Sequence, residues 1–586
     1  MPMNFSKLFL MSVLVLSALV VVAGCEQEQK KSQVATPKPE VEPPSVPPEL
    51  KGTIAEYAVL IDGGYVQVEG YSMVVGLGDK GRAEIDPQIK AYMVEYMRKN
   101  KVNWGSLGTG DITTDMMFRD PDHTIVRVRG LIPPGALKGS RFDIDISALP
   151  NNQTASLEGA VLMPAELHRF LNGAPPHGAG TSALAMGAGE IFLNPFLDPT
   201  KESDLPKLRS GRIIGGGKVG SAGRVLIQLY YPDMGKCERM ASRINERFPG
   251  KEKVAVGRSQ QLLELYIPEE FKNDYDHFTM LVMHLPMYGT GGNVNKMAMN
   301  VGEMIEQPTQ RHEDLAMIWE AIGRNALPII KKSYQSKNEL ASYLSARTGL
   351  RLGDTAAADV VLKFATSENS PMQIQAIREL GKHPKIIRAE GTLRTLLDSE
   401  NEMVRLAAYE SLRSRGDPIV RTMRIGDFEV DLVPTKRDYV VYATQTAEQR
   451  IVLFGANMPL QKPMFYKDPS EIVTINANEN DKNVQLMRKL PRSGGYTPWL
   501  KCNFAVASLI AIMGTPAGYD DDGNPKGLGL SYGQIVGILK RMCADKSIPA
   551  KFVLQPMPTL QRITEGATGT ARPDVGSSTT APVIGN

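Results

Sequence analysis

Seven histidines and four cysteines are the residues of this 586-residue chain best suited to metal ligation or nucleophilic chemistry. His123, His168, His177, His277, His284, His312 and His383 occur singly. None has the HExxH spacing that sets two imidazoles on one helical face, and none adjoins a cysteine pair, so no metal residues are expected. Gly215, Gly217 and Gly220 satisfy G-x-G-x-x-G on spacing alone. A dinucleotide loop follows a strand and opens a helix, whereas this run leads into VLIQLYYP, a strand pattern, and reads as a hairpin turn. Arg212 stands where a Walker A loop ahead of Lys218 needs its first glycine. The acidic run Asp520, Asp521, Asp522, Gly523 puts Pro525 where a calcium loop needs glycine, so a solvated loop is expected. No set of nucleophile, base and oxyanion donors emerges, and the expected catalytic and cofactor-binding residues are none.

Composition agrees with that absence. Hydrophobic residues at 42% and charged residues at 22% are ordinary globular values, and Lys+Arg 67 against Asp+Glu 64 leaves only +3, too little for a nucleic-acid binder driven by bulk charge. At roughly 150 residues per domain the length corresponds to about four folded units.

Cys25 is the cysteine with a readable task. Lys7 precedes an apolar run from Leu8 to Val22, shorter than the ~20 residues a spanning helix needs, and the pattern fits a signal peptide. The run ends in Val22, Ala23, Gly24 and Cys25, which resembles the lipobox of bacterial lipoproteins and implies lipidation of Cys25; the alternative is an ordinary signal peptide with an incidental cysteine. Glu26, where an inner-membrane retention signal often has Asp, implies an outer-membrane anchor. Residues 26–50 are rich in proline and poor in large apolar side chains, so they read as an extended tether reaching on the order of 75 Å. Cys502 and Cys543 flank two C-terminal helices, and export permits a disulfide between them that spacing cannot establish. Cys237 is expected to pack on a helix beside Met240.

The body alternates strand and helix patterns. Ile125, Val126 and Val128, then Phe142, Ile144 and Ile146, alternate on either side of Pro133 and Pro134. Residues 85–100 carry helical spacing. A strand at 224–229, a helix at 237–248 with Met240, Ile244 and Phe248 on one face, a strand at 262–267 and a short apolar element at 277–285 form a second unit. Residues 312–420 are helical in pattern, and Ala-Ile-Arg-Glu-Leu at 376–380 returns as Ala-Tyr-Glu-Ser-Leu at 408–412. Asp398, Val404, Arg405, Ala408 and Leu412 resemble a HEAT-type repeat, with an ordinary helical bundle as the alternative.

The order GYSMVVGLGDKG (70–81), VRVRGLIPPGALKGSRFDIDISAL (126–149), SLEGAVLMPAEL (156–167), GRIIGGGKV, VLIQLYYPDMGKCERMASRINERFPG and LELYIPEE resembles the flagellar P-ring protein family. Asp233, Arg243, Ile244, Asn245, Arg247 and Phe248 fit its helix pattern. RIVLFGANMPL, FAVASLIAIMG and LGLSYGQIVGILKRM resemble the family's C-terminal elements less closely. The expected fold class is therefore α+β and multi-domain, with short-stranded P-ring-like sheet domains interrupted by an all-α HEAT-like insert. The expected divisions are a signal peptide at 1–24, lipidated cysteine and tether at 25–50, P-ring-like domains at 51–200 and 201–290, the insert at 300–420, a strand-rich part with two helices at 425–556, and a disordered tail at 557–586.

The resemblance implies a structural subunit and no enzyme: a periplasmic ring of identical copies acting as a bushing around the flagellar rod. Its implied partners are further copies, rod and L-ring proteins, peptidoglycan, and a membrane through the lipid. The lipid and the helical insert depart from the family, and they support a second expectation, a membrane-anchored envelope scaffold that uses the insert to hold a protein partner.

Overall fold

Period-two alternation in the first third of the chain closes a barrel. The computed structural model describes residues 45–557 apart from 62–63, 82–86, 100–119, 151, 171–181, 222–224, 273, 290, 469–470, 491–494 and 522. Cys25, the signal segment, His177, Asp522 and residues 558–586 lie outside the described residues. The expected tether ends before residue 50: Pro48–Leu50 forms a 3-10 turn and Leu50 is buried.

β1 (Ala58–Ile61), β2 (Val66–Val75) and helix α1 (Pro87–Lys99) come first. β3 (His123–Ile132), β4 (Arg141–Ala148), β5 (Val161–Arg169), β6 (Ala185–Glu190) and β7 (Ser210–Val219) join β2 in a closed antiparallel barrel, ordered β2-β3-β4-β7-β6-β5. Val126 and Val128 of β3 and Phe142, Ile144 and Ile146 of β4 fill its interior together with Val68, Val74, Leu162 and Leu167. Ile125 points the other way and is covered, with Met73, by Met93 and Tyr96 of α1. The glycine run is not a hairpin turn, because Gly215 and Gly217 lie inside β7. Gly215 has φ +62°, and the β4–β7 register slips opposite it. A Cβ on Gly217 would lie 2.5 Å from the Phe142 ring. The run is a bulge that bends the strand and leaves room for an aromatic ring in a narrow barrel.

β8 (Val225–Leu229), α2 (Met234–Arg247), β9 (Ala255–Gly257), β10 (Leu262–Leu265) and α3 (Tyr275–Met283) follow. The sheet order is β1-β8-β10-β9. Cys237, Met240 and Ile244 of α2 and Phe278, Leu281 and Val282 of α3 cover its face at Ile227, Leu229 and Leu263. β1 precedes the barrel yet pairs with β8 after it, so the barrel is spliced into this sheet unit. The boundary expected at 200/201 falls within the barrel, since β7 pairs with both β4 and β6.

The chain then runs through α4 (Gly291–Met304), α5 (His312–Ile322), α6 (Leu327–Ser333), α7 (Glu339–Arg351), α8 (Ala357–Thr366), α9 (Gln373–Gly381), α10 (Ile387–Leu396) and α11 (Glu402–Ser414). The two similar pentapeptides lie on α9 and α11, which pack side by side. Gly381 allows their close approach, for a Cβ there would meet Ser411 Oγ at 2.8 Å, and the Ser411 hydroxyl donates to the Ile377 carbonyl at 2.9 Å.

β11 (Arg421–Ile425), β12 (Phe428–Val433), β13 (Val440–Ala443) and β14 (Arg450–Phe454) come next. They are followed by β15 (Met464–Lys467), β16 (Val473–Ala477), β17 (Val484–Arg488), β18 (Leu500–Cys502), α12 (Val506–Gly514), α13 (Tyr532–Ala544) and β19 (Lys551–Leu554). One mixed sheet runs β11-β12-β14-β13-β19, and an antiparallel one runs β15-β16-β17-β18. The apolar run Ile451–Phe454 is unbroken because both faces of β14 are covered. Val452 and Phe454 join the core of the helical unit, whereas Ile451 and Leu453 join that of α12 and α13.

Candidate functional site

The residues that carry the helix pattern of α2 hold neighbouring units together. Asp233 caps the helix, its Oδ1 accepting from Lys236 N at 3.0 Å. Asn245 clamps β9: its Oδ1 accepts from Val254 N and Ala255 N, and its Nδ2 donates to the Ala255 carbonyl. Arg243 donates to the Pro286 carbonyl at 3.3 Å. Arg247 reaches the end of α5, donating to the carbonyls of Glu320 and Ala321 at 3.0 Å each. Ile244 and Phe248 fill the core beneath.

A network of charges continues this junction into the helical unit. His277 of α3 meets Glu320 of α5 at 2.7 Å. Arg351 of α7 donates to Glu320 at 3.2 Å and, through two bonds of 2.7 Å, to Glu379 of α9, which also meets His383 at 3.1 Å. Beside it, His284 contacts Asp314 at 2.9 Å and the Met280 carbonyl at 2.7 Å, while Arg311 donates to the same aspartate. Burial alone would raise the carboxyls of Glu320 and Glu379. The bonds from His277 and Arg351 to Glu320, and from Arg351 and His383 to Glu379, outweigh it and hold both below the usual carboxylate range. These residues span more than a hundred positions, so no short-range pattern could reveal them. His123 pairs with Asp120 at 3.3 Å and His168 with Glu166 at 3.6 Å. Among the described residues, no group of three or more His, Cys, Asp or Glu could hold a metal ion.

Tyr409 and Arg413 of α11 both bond the buried carboxylate of Asp431 on β12, joining the helical unit to the mixed sheet. The C-terminal part also seats on the barrel. Phe192 packs against Tyr532 with ring centres 5.8 Å apart and the rings tilted by 34°, and Asp143 accepts from Gly215 N within the barrel and from Ala447 N across the contact. The S-x-x-Q of LGLSYGQ is a capping box, Ser531 and Gln534 bonding each other's backbone at the start of α13.

Cys502 and Cys543 are both free thiols, and burial pushes each up to about 12. Cys237 is buried beside Met240, as expected. The acidic stretch is an exposed hairpin: Tyr519 bridges Pro525, and Asp520 accepts from Asn524 N at 2.7 Å. No helix among the described residues is long and apolar enough to cross a membrane.

Residues 58–292 match the family model described as Flagellar P-ring protein. The Flagellar P-ring protein of Geobacter metallireducens is 26% identical over 219 residues, which cover 35% of this chain and 53% of the relative. The chain thus spans about half the length of that curated relative. The family match opens at β1 and closes at the first turn of α4, and the C-terminal elements likened to the family lie beyond it. The sequence resemblance and the family match therefore agree, and over the barrel and its companion sheet this chain is similar to the flagellar P-ring proteins.

Proposed function

We propose that this chain is a structural subunit of a flagellar P-ring-like periplasmic ring, a bushing around the flagellar rod, tethered to the membrane by lipid on Cys25. The observation that carries this reading is the coincidence of the family match with whole structural units: it takes in the barrel and the β1-β8-β10-β9 sheet, and stops where the helical unit begins. The patterned residues of α2 cap, clamp and bridge, which suits a subunit whose function is geometric. A ring requires one heterologous contact repeated about a closed axis and no reaction at any site. Its partners are further copies, the rod and L-ring proteins and peptidoglycan, with no nucleic acid. Basal bodies isolated from cells producing a tagged chain should carry the tag in a ring around the rod; a tag absent from basal bodies contradicts the assignment.

The helical unit favours a second reading. It lies almost wholly beyond the family match and sets equivalent pentapeptides on neighbouring helices, an arrangement consistent with a HEAT-like array. In that reading the chain is a lipid-anchored envelope scaffold, with a P-ring-like body and a helical unit that captures a protein. The tagged chain would then co-purify with one partner from the envelope and not with rods.

A further inference from the structure

A cleft of about 420 Å³ opens between α2 and the ends of α5 and α7, with Arg247, Arg324 and Arg351 on its walls beside Glu246, whose carboxylate is paired with Arg243. Turns at Gly323 (φ +83°) and Gly353 (φ +87°) shape it. Arg351 is neutralised by Glu320 and Glu379. Arg247 has no carboxylate bonded to it: its guanidinium donates to two backbone carbonyls, and burial lowers its pKa despite the nearby carboxylates of Glu320 and Glu270. Arg324 is exposed, and among the described residues no side chain bonds to its guanidinium. Two guanidinium groups without a bonded carboxylate suit the cleft to a carboxylate, which matches the planar fork.

The acidic hairpin has the complementary charge. Asp520 and Asp521 are exposed at its tip, Tyr519 beside them is 67% exposed, and within one chain no bond joins the hairpin to the three arginines among the described residues. Both features also stand outside the P-ring resemblance: the helical unit brings Arg324 to the family-type helix carrying Arg247, and the hairpin interrupts the two C-terminal helices. We propose that the Asp520–Asp521 hairpin of one copy docks into the Arg247–Arg324 cleft of a second copy, as one of the contacts joining subunits. The docking rests on the ring reading given above.

Sedimentation velocity of the full chain at about 0.15 M salt tests it, with far-UV circular dichroism as the folding check. Arg324→Glu and Asp521→Lys lie on exposed positions, and each should weaken self-association by about tenfold or more, while the double variant should recover most of the loss. Self-association unchanged by either single reversal overturns the docking and leaves the ring reading standing. Single variants that weaken association without mutual rescue overturn the pairing of these two surfaces. A wild-type chain that stays monomeric at every concentration overturns both docking and ring.

Discussion

Phe142 reaches across three barrel strands, its ring lying over the backbone of Gly130 on β3 and Gly217 on β7. Glycine at these positions serves the ring, and Gly217→Val should destabilise the barrel by about 1–3 kcal/mol through overpacking. A denaturant midpoint unchanged from wild type would show that the ring has room to move. Arg351 is the other residue on which several units depend, because Glu320 and Glu379 are both buried and both bond to it. Removing a partner from a buried charge cluster leaves uncompensated carboxylates, so Arg351→Ala should cost about 3–5 kcal/mol. Urea unfolding measures this, and a loss below 1 kcal/mol would mean that the histidines or water replace the guanidinium.

At the scale of elements, the same cluster ties α3, α5, α7 and α9 into one charged seam with a predictable acid response. Glu320 and Glu379 titrate below their unfolded values, so their contribution is full above about pH 4.3 and is lost as pH falls through the lower folded values. The denaturant midpoint should drop steeply below about pH 4, and Glu379→Gln should flatten that slope; a parallel slope in the variant would remove Glu379 from the account. The elements themselves were largely legible. Alternation at Val126–Val128 and Phe142–Ile146 marked β3 and β4, and the spacing of Met240, Ile244 and Phe248 marked the buried face of α2. The bulge in β7 was not, because a glycine run signals a turn and a strand bulge equally, and only the strand opposite decides between them. The charged seam was illegible for a different reason: its members meet only after four helices have packed.

At the scale of the whole molecule, the sequence suggested sheet domains interrupted by a helical insert, and the structure shows an interruption the sequence did not suggest. The barrel interrupts the sheet that begins at β1, and the mixed C-terminal sheet shares one face with the helical unit and the other with α12 and α13. The helical unit is therefore bound into the molecule on two sides, through Arg247 to Glu320 and Ala321 and through Arg413 to Asp431. Such a body is consistent with the proposed role of a structural ring subunit. The tether adds a separate claim. Labelled fatty acid should enter the wild-type chain and be lost in Cys25→Ala, and incorporation that survives the substitution would refute the anchor. The central claim, that copies close into a ring, is tested most directly by electron microscopy of the purified full chain. The account predicts closed annular particles of uniform symmetry around a rod-sized hole; monodisperse single chains at every concentration tested would contradict it.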